Sequence, residues 1–266
     1  MVSPLPMTPE AFIARALSRV GDAWIPILTA AWEEMPLEYR CEVAAAKRLV
    51  PKVEQIFEPF RMAEPSAVTT IFVAESPYPQ ANIANGQVFH PGTGPLWSEK
   101  GLSAHVNQYR SLATFLRMLL RAEGIIQQGR RRGRDIARGL AVETNLRKVE
   151  TVDELFARLY TNGVLLLNAT PILRRNVAKD ARAWQPFNLA VIRSIAELAA
   201  SMPKIVLAGD PAGGLQAGLA EIGMNAVLVA HPTNRWHSIN RFVEHSDLHA
   251  VFSGLEIIFH TTGDPR

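Results

Sequence analysis

The sequence predicts an α/β fold: three layers, α/β/α, around a central, mostly parallel four-stranded sheet. Three observations carry this. Four apolar runs of strand length lie at residues 69–74, 164–168, 204–208 and 226–230. Helical periodicity fills the stretches between them, and strands alternating with helices favour a parallel sheet covered on both faces. Three of the runs end abruptly in polar or turn residues, as strands do where an open α/β sheet holds a ligand at its carboxyl edge.

The elements follow in order. Residues 1–9 carry three prolines and read as a loose tail. Residues 69–74 form the first strand, and residues 105–121 read as an amphipathic helix. Gly129 to Gly133 (Gly-Arg-Arg-Arg-Gly) reads as a loop. Thr151 and Glu154 have the spacing of a capping box, which pairs each side chain with a backbone N–H of the first helical turn. Val152, Leu155, Phe156 and Leu159 then share one helix face. A further amphipathic helix is expected over 187–200. The length of 266 residues suits one domain spanning the chain.

Composition excludes several classes. Apolar residues make up 48% of the chain, enough for a full core, but no run of 18 apolar residues offers a membrane span. The first twenty residues lack the basic start and apolar stretch of a signal peptide, so a cytoplasmic monomer is expected. Cys41 is the only cysteine, which excludes an internal disulfide, a four-cysteine zinc site and a cysteine-held iron–sulfur cluster. Neither metal nor cofactor is expected. Residues 121–148 hold eight basic and three acidic residues, a local charge of +5 in a chain totalling +3, so the remainder carries −2. The basic cluster is therefore local.

The polar strand ends carry the functional signal. The first run closes in Ala74-Glu75-Ser76-Pro77-Tyr78-Pro79, the second in Leu165-Leu166-Leu167-Asn168, and the fourth in His231-Pro232-Thr233. Parallel strands bring such ends to one edge, so these residues are expected to line one pocket. Each also has a plain structural reading: Asn168 capping a turn, Tyr78 packing on the core, His231 as a loop residue, with His90, His237, His245 and His249 as rival histidines.

In order and spacing these motifs resemble the uracil-DNA glycosylase superfamily, most closely family one. That family's first motif is Gly-Gln-Asp-Pro-Tyr-His, against Ala74 to Pro79 here. Gly86 and Phe89 match a Gly and a Phe that follow about ten residues later. Leu165 to Asn168 matches a Leu-Leu-Leu-Asn strand, and His231-Pro232-Thr233 a late His-Pro-Ser. Ile56 to Arg61 and Asn107 to Leu112 extend the likeness, which runs from about residue 20 to 255. Residues 122–148 look like a basic insertion relative to the family.

The resemblance implies hydrolysis of the N-glycosidic bond of uracil in DNA, for base-excision repair, on a base flipped out of the stack. Asn168 would read uracil, because its amide offers the donor and acceptor that O4 and N3–H require. Phe89 would stack on the base, and Tyr78 would exclude thymine's methyl group. His231 would donate a hydrogen bond to the O2 oxyanion as the bond breaks.

The chain departs from the family at the water. Ser76 stands where the family has its water-orienting Asp, and a serine carries no charge. Glu75, one residue earlier, is the only carboxylate in the motif. Adjacent strand residues point to opposite faces, so Glu75 can serve only if the chain turns there. The DNA grip differs too. Gly209-Asp210 replaces a phosphate-holding Gly-Ser, and Arg235 or Trp236 stands where the family has a leucine wedge. Arg130, Arg131, Arg132 and Arg134 are candidates for phosphate contact, or form a solvated loop. Besides the enzyme, two readings stay open: a non-catalytic module that binds a flipped base or an abasic site, and a hydrolase of free nucleosides or nucleotides.

Overall fold

The computed structural model describes residues 7–130, 132–143, 145–174, 176–233 and 239–261. The strands in chain order are β1 (Thr70–Ala74), β2 (Trp97–Ser98), β3 (Gly101–Leu102), β4 (Leu146–Lys148), β5 (Val164–Asn168), β6 (Lys204–Ala208), β7 (Ala226–Val229) and β8 (Phe259–Thr261). The helices are α1 (Pro9–Ala16), α2 (Ile25–Glu33), α3 (Leu37–Ala44), α4 (Ala104–Gln108), α5 (Arg110–Ala122), α6 (Gly133–Val142), α7 (Val152–Thr161), α8 (Val177–Leu198), α9 (Asp210–Gly213), α10 (Gln216–Glu221), α11 (Ile239–Val243) and α12 (Ser246–Phe252).

The four expected strands are β1, β5, β6 and β7, and they form one all-parallel sheet in the order β5-β1-β6-β7. β1 is central because it is apolar on both faces. Every residue of β1 and of β5 is buried, as strands covered by helices on both faces require. The register sets Ala74 beside Asn168, and Val73 beside both Leu167 and Leu207. The carboxyl ends of β1, β5 and β6 are thereby held level.

Packing divides the chain into two compact units. One comprises Met1–Val88 and Gly163–Ala226, the other Phe89–Asn162 and Val227–Arg266. The first is organised by aromatic rings. Phe57 and Phe187 stack at 5.3 Å, Trp184 meets Phe187 edge-on at 5.0 Å, and Trp32 lies 5.8 Å from Trp184 and 5.3 Å from Phe12. These contacts fasten α8 to α2 and to the segment before β1. In the second unit α5 is the hub, packing on α11 and α12, with Phe115 edge-on to Phe252 at 5.8 Å.

Local expectations are modified in four places. The helix expected over 105–121 is broken at Tyr109, whose extended backbone separates α4 from α5. α8 begins ten residues earlier than expected and carries Pro186 inside it. Proline ordinarily ends a helix, but Trp184 and Phe187 on either side are buried, and their packing holds the helix through it. Thr151 does accept from the Glu154 N–H at 3.2 Å, whereas the Glu154 carboxylate accepts from Glu150, at 2.7 Å, one residue short of a closed capping box. Gly133, expected in a loop, opens α6. A Cβ there would strike the Lys100 carbonyl, so the glycine lets α6 approach the β2–β3 turn. Of the expected tail, residues 1–6 lie outside the described residues, while Thr8 caps α1 and Pro9 begins it.

Because Trp184 joins three aromatic neighbours and is fully buried, Trp184→Ala is expected to cost about 3–5 kcal/mol of stability. Urea unfolding measures this through the transition midpoint; a drop below about 1 kcal/mol would mean the cluster does not organise the first unit.

Candidate functional site

The first unit presents three strand ends. β1 stops at Ala74 and the chain bends at Glu75, the turn that residue needs. Pairing with β5 nevertheless continues beyond the strands: Ala169 donates its N–H to the Ala74 carbonyl at 2.7 Å and Thr170 to the Glu75 carbonyl at 3.2 Å. The Glu75 backbone is thus tied to the β5 side. Its side chain goes the other way, lying against Gly209 at the end of β6, where an added Cβ would collide with the carboxylate. Gly209 also has φ +92°, so a side chain is excluded on both counts.

The Glu75 carboxylate is half-buried and has no hydrogen bond or ion pair among the described residues. Burial first, and the charge of Asp210 second, raise its pKa above the ordinary carboxylate value. Ser76 and Tyr78 are half-buried on the loop that follows, and Pro77 is buried.

Asn168 closes β5 and is 5% exposed. Its Oδ1 is buried without a hydrogen-bond partner among the described residues, a state that costs about 1–3 kcal/mol unless a donor arrives. The amide borders a gap of about 10 Å³ lined also by Phe57, Phe187 and Gly86, which is a packing space and not a base-sized pocket. Gly86 has φ +92°, and a Cβ there would collide with the Gln55 carbonyl. The turn after the first motif therefore accepts only glycine.

In the second unit, Phe89 is buried with φ +57°. A bulky residue in the left-handed region costs on the order of 1–3 kcal/mol and persists only where its surroundings hold it there. Its ring lies 5.4 Å from Phe115 and 6.2 Å from His231, at 67° to the latter. The structure thus brings together two residues that the sequence places 142 positions apart.

The protonation of His231 follows from its neighbours. The Thr233 backbone N–H donates to Nδ1 at 3.3 Å, and the Thr233 hydroxyl lies 2.9 Å from the same atom. A backbone N–H can only donate, so Nδ1 is an acceptor and carries no proton. Burial lowers the pKa to about 4, so the ring is neutral at pH 7 with its hydrogen on Nε2. His231 is therefore a neutral donor whose Nε2–H has no hydrogen-bond partner among the described residues.

Of the rival histidines, His90 and His249 are engaged elsewhere, whereas His245 Nδ1 is buried without a hydrogen-bond partner among the described residues. His90 is buried against Phe156 at 4.6 Å, with Nε2 3.0 Å from Asp153 and Nδ1 accepting from Gly92. His249 Nε2 lies 2.6 Å from the Val243 carbonyl. His245 follows α11 and precedes α12, and His237 lies outside the described residues.

The candidate DNA contacts are only partly described: Arg131, Arg235 and Trp236 lie outside the described residues. Arg130 and Arg132 are exposed, as are Arg134 and Arg138 of α6 and Arg147 of β4. Among the described residues none of these five guanidinium groups is in an ion pair. Two contributors escaped sequence reasoning. Thr233 was visible in its motif, but its grip on Nδ1 was not. The effect of Asp210 on Glu75 had no signal, because it depends on β1 and β6 being neighbours.

No protein-family model matches the chain, and no curated protein does. Solved structures do. The chain is 25% identical to a wild-type UNG from Nitratifractor salsuginis with TM-score 0.76, covering 94% of this chain and 96% of that one. A tyrosine-to-glycine mutant of that UNG gives the same identity and score over 94% and 97%. Mimivirus uracil-DNA glycosylase is 15% identical, TM-score 0.53, over 87% and 77%, a likeness of fold. The all-parallel sheet flanked by helices is thus the fold of uracil-DNA glycosylase structures.

The environment of His231 has a measurable consequence. Its folded pKa of about 4 lies below the ordinary 6.5, so between those values the unfolded chain binds more protons than the folded one. Stability from this group is full above pH 6.5 and declines as pH falls toward 4. Denaturant unfolding from pH 4 to 7 is expected to show a steeper acid decline for the native protein than for His231→Gln. Parallel curves would mean that the imidazole is not held neutral.

Proposed function

We propose that the chain is a monofunctional uracil-DNA glycosylase of base-excision repair, hydrolysing the N-glycosidic bond without metal or cofactor and acting on DNA as a monomer. The observation that carries this reading is the amide of Asn168, buried at a strand end with Oδ1 lacking a partner among the described residues. Uracil's N3–H supplies the missing donor, and the amide N–H₂ meets O4. Cytosine has the reverse pattern and would leave the orphan unsatisfied. The likeness to UNG structures at 25% identity supports the same reading.

The remaining roles follow from chemistry. The base must leave as an anion with charge on O2. A neutral His231 with its hydrogen on Nε2 suits that task, because a fixed donor needs no proton transfer to stabilise developing charge. Phe89 stacks on the base, its ring held by the same packing that keeps its backbone in the left-handed region. Tyr78 crowds the 5-position and excludes thymine. Glu75 orients the attacking water, since Ser76 has no charge to do so. Gly209, Arg130, Arg131 and Arg132 face the phosphate backbone, and Arg235 or Trp236 fills the space left by the flipped base.

His231→Ala is expected to slow single-turnover excision of uracil by about 10²–10³-fold with little change in DNA affinity. Asn168→Asp should erode discrimination for uracil, because an ionised carboxylate has no donor and repels O4. The assay follows abasic product and complex retention on uracil-containing duplex and single-stranded DNA. Tight retention without product would favour the non-catalytic binding module, and cleavage of free nucleosides alone would favour the third reading.

Replacing Arg130, Arg131, Arg132 and Arg134 with Ala is expected to weaken DNA binding without altering base preference. It should also flatten the dependence of log affinity on log salt by about 0.7–0.9 for each phosphate that an arginine no longer neutralises. An unchanged slope would leave these arginines as a solvated surface.

A further inference from the structure

We propose that Asp210 and Glu75 act as one water-activating pair, in which Glu75 touches the water and Asp210, next to the glycine that the Glu75 carboxylate lies against, is a positioning residue. The inference rests on the glycosylase reading above and adds a residue that neither the first motif nor its family counterpart contains.

The geometry is specific. The parallel sheet sets β6 beside β1, so Glu75 and Gly209, which follow these strands, are neighbours although 134 positions separate them. Glu75 sends its carboxylate against the Cα of Gly209, where no side chain fits. The next residue is Asp210, exposed at the start of α9. Around Glu75, the segment after β5 contributes Thr170, whose N–H meets the Glu75 carbonyl, and the segment after β6 contributes Gly209 and Asp210. Asp210 is the charged group that acts on it, and it does so by repulsion, raising the pKa alongside burial.

A carboxylate in its ordinary range is a weak base at neutral pH. One made more basic by a like charge takes a proton more readily, and general-base efficiency rises as the pKa approaches the working pH. In the step itself, the C1′–N1 bond breaks and its electrons leave with the base. Water oxygen bonds to C1′, and the water's proton passes to Glu75. The charge on Glu75 also opposes the positive character at C1′. An aspartate at position 210 repels a DNA phosphate, a disadvantage if its only task were to grip the backbone. The pair gives that charge a use.

The test separates this proposal from the reading on which it rests. Carbon-13 NMR titration of the Glu75 carboxyl is run on the native protein, Asp210→Asn and, as a second variant, Asp210→Ser. The Glu75 midpoint is expected to fall toward the ordinary carboxylate range in both. Single-turnover excision against pH should show the acid limb moving to lower pH in the variants and the plateau dropping several-fold, while DNA affinity is unchanged or improved. Glu75→Gln alone should cost about 10²–10⁴-fold, and adding Asp210→Asn should cost nothing further, since coupled residues are non-additive. An unmoved Glu75 titration, or additive effects in the double variant, overturns the pair. A shifted titration in a protein that never excises uracil upholds the electrostatic coupling but overturns both the catalytic pair and the glycosylase reading.

Discussion

The placement of chemistry in the first unit depends on the parallel pairing of β1 between β5 and β6. Parallel strands in register end level, so Ala74, Asn168 and Ala208 finish close along one edge. Two hydrogen bonds beyond the strands, to the carbonyls of Ala74 and Glu75, extend the β1–β5 pairing past the point where β1 stops. Glu75 is held by its carbonyl on the β5 side, and its carboxylate lies on the other, against Gly209. A one-residue slip in register would move Asn168 away from the motif and set every side chain of β1 against different neighbours. Burial on both faces makes such a slip costly.

The two units treat their titratable groups in a common way. Burial disfavours charge, so it lowers the pKa of His231 and raises that of Glu75. Each outcome has its own chemical consequence. A neutral imidazole with Nδ1 engaged by Thr233 keeps a single, fixed N–H to donate. A carboxylate made more basic is a better proton acceptor. Neither needs a cation nearby, and both follow from limited access to water. Asp210 adds to the effect at Glu75, but it is not the main cause.

Much of this was legible in the sequence. The four strands were legible because each is a short apolar run closed by a polar or turn residue, and the level strand ends follow from the parallel sheet. Asn168, Phe89 and His231 could be named from their motifs, but their states could not. That Phe89 sits in the left-handed region, that Asn168 Oδ1 lacks a partner among the described residues, and that Thr233 fixes the ring nitrogen all arise from tertiary contacts. The helices were less legible at their ends. Tyr109 breaks one helix where periodicity runs on, and Pro186 fails to break another because Trp184 and Phe187 pack on either side. In each case tertiary packing overrides the local signal.

Under the proposed reading, the charge of the first motif sits at Glu75 and not at position 76. Glu75 is the carboxylate of the motif, and its side chain crosses to the end of the next strand. Crossing requires an empty Cβ position there, which Gly209 supplies, and Asp210 then stands beside that charge. The three residues depend on one another: a side chain at 209 would displace the Glu75 carboxylate, and without Glu75 the charge of Asp210 has nothing in the motif to act on. A third carboxylate, introduced at position 76, would join two that already repel. It would favour protonation of one of them instead of restoring an independent base. On this view Ser76 is suited to its place because it is uncharged: a small polar residue that leaves Glu75 and Asp210 to set the local field.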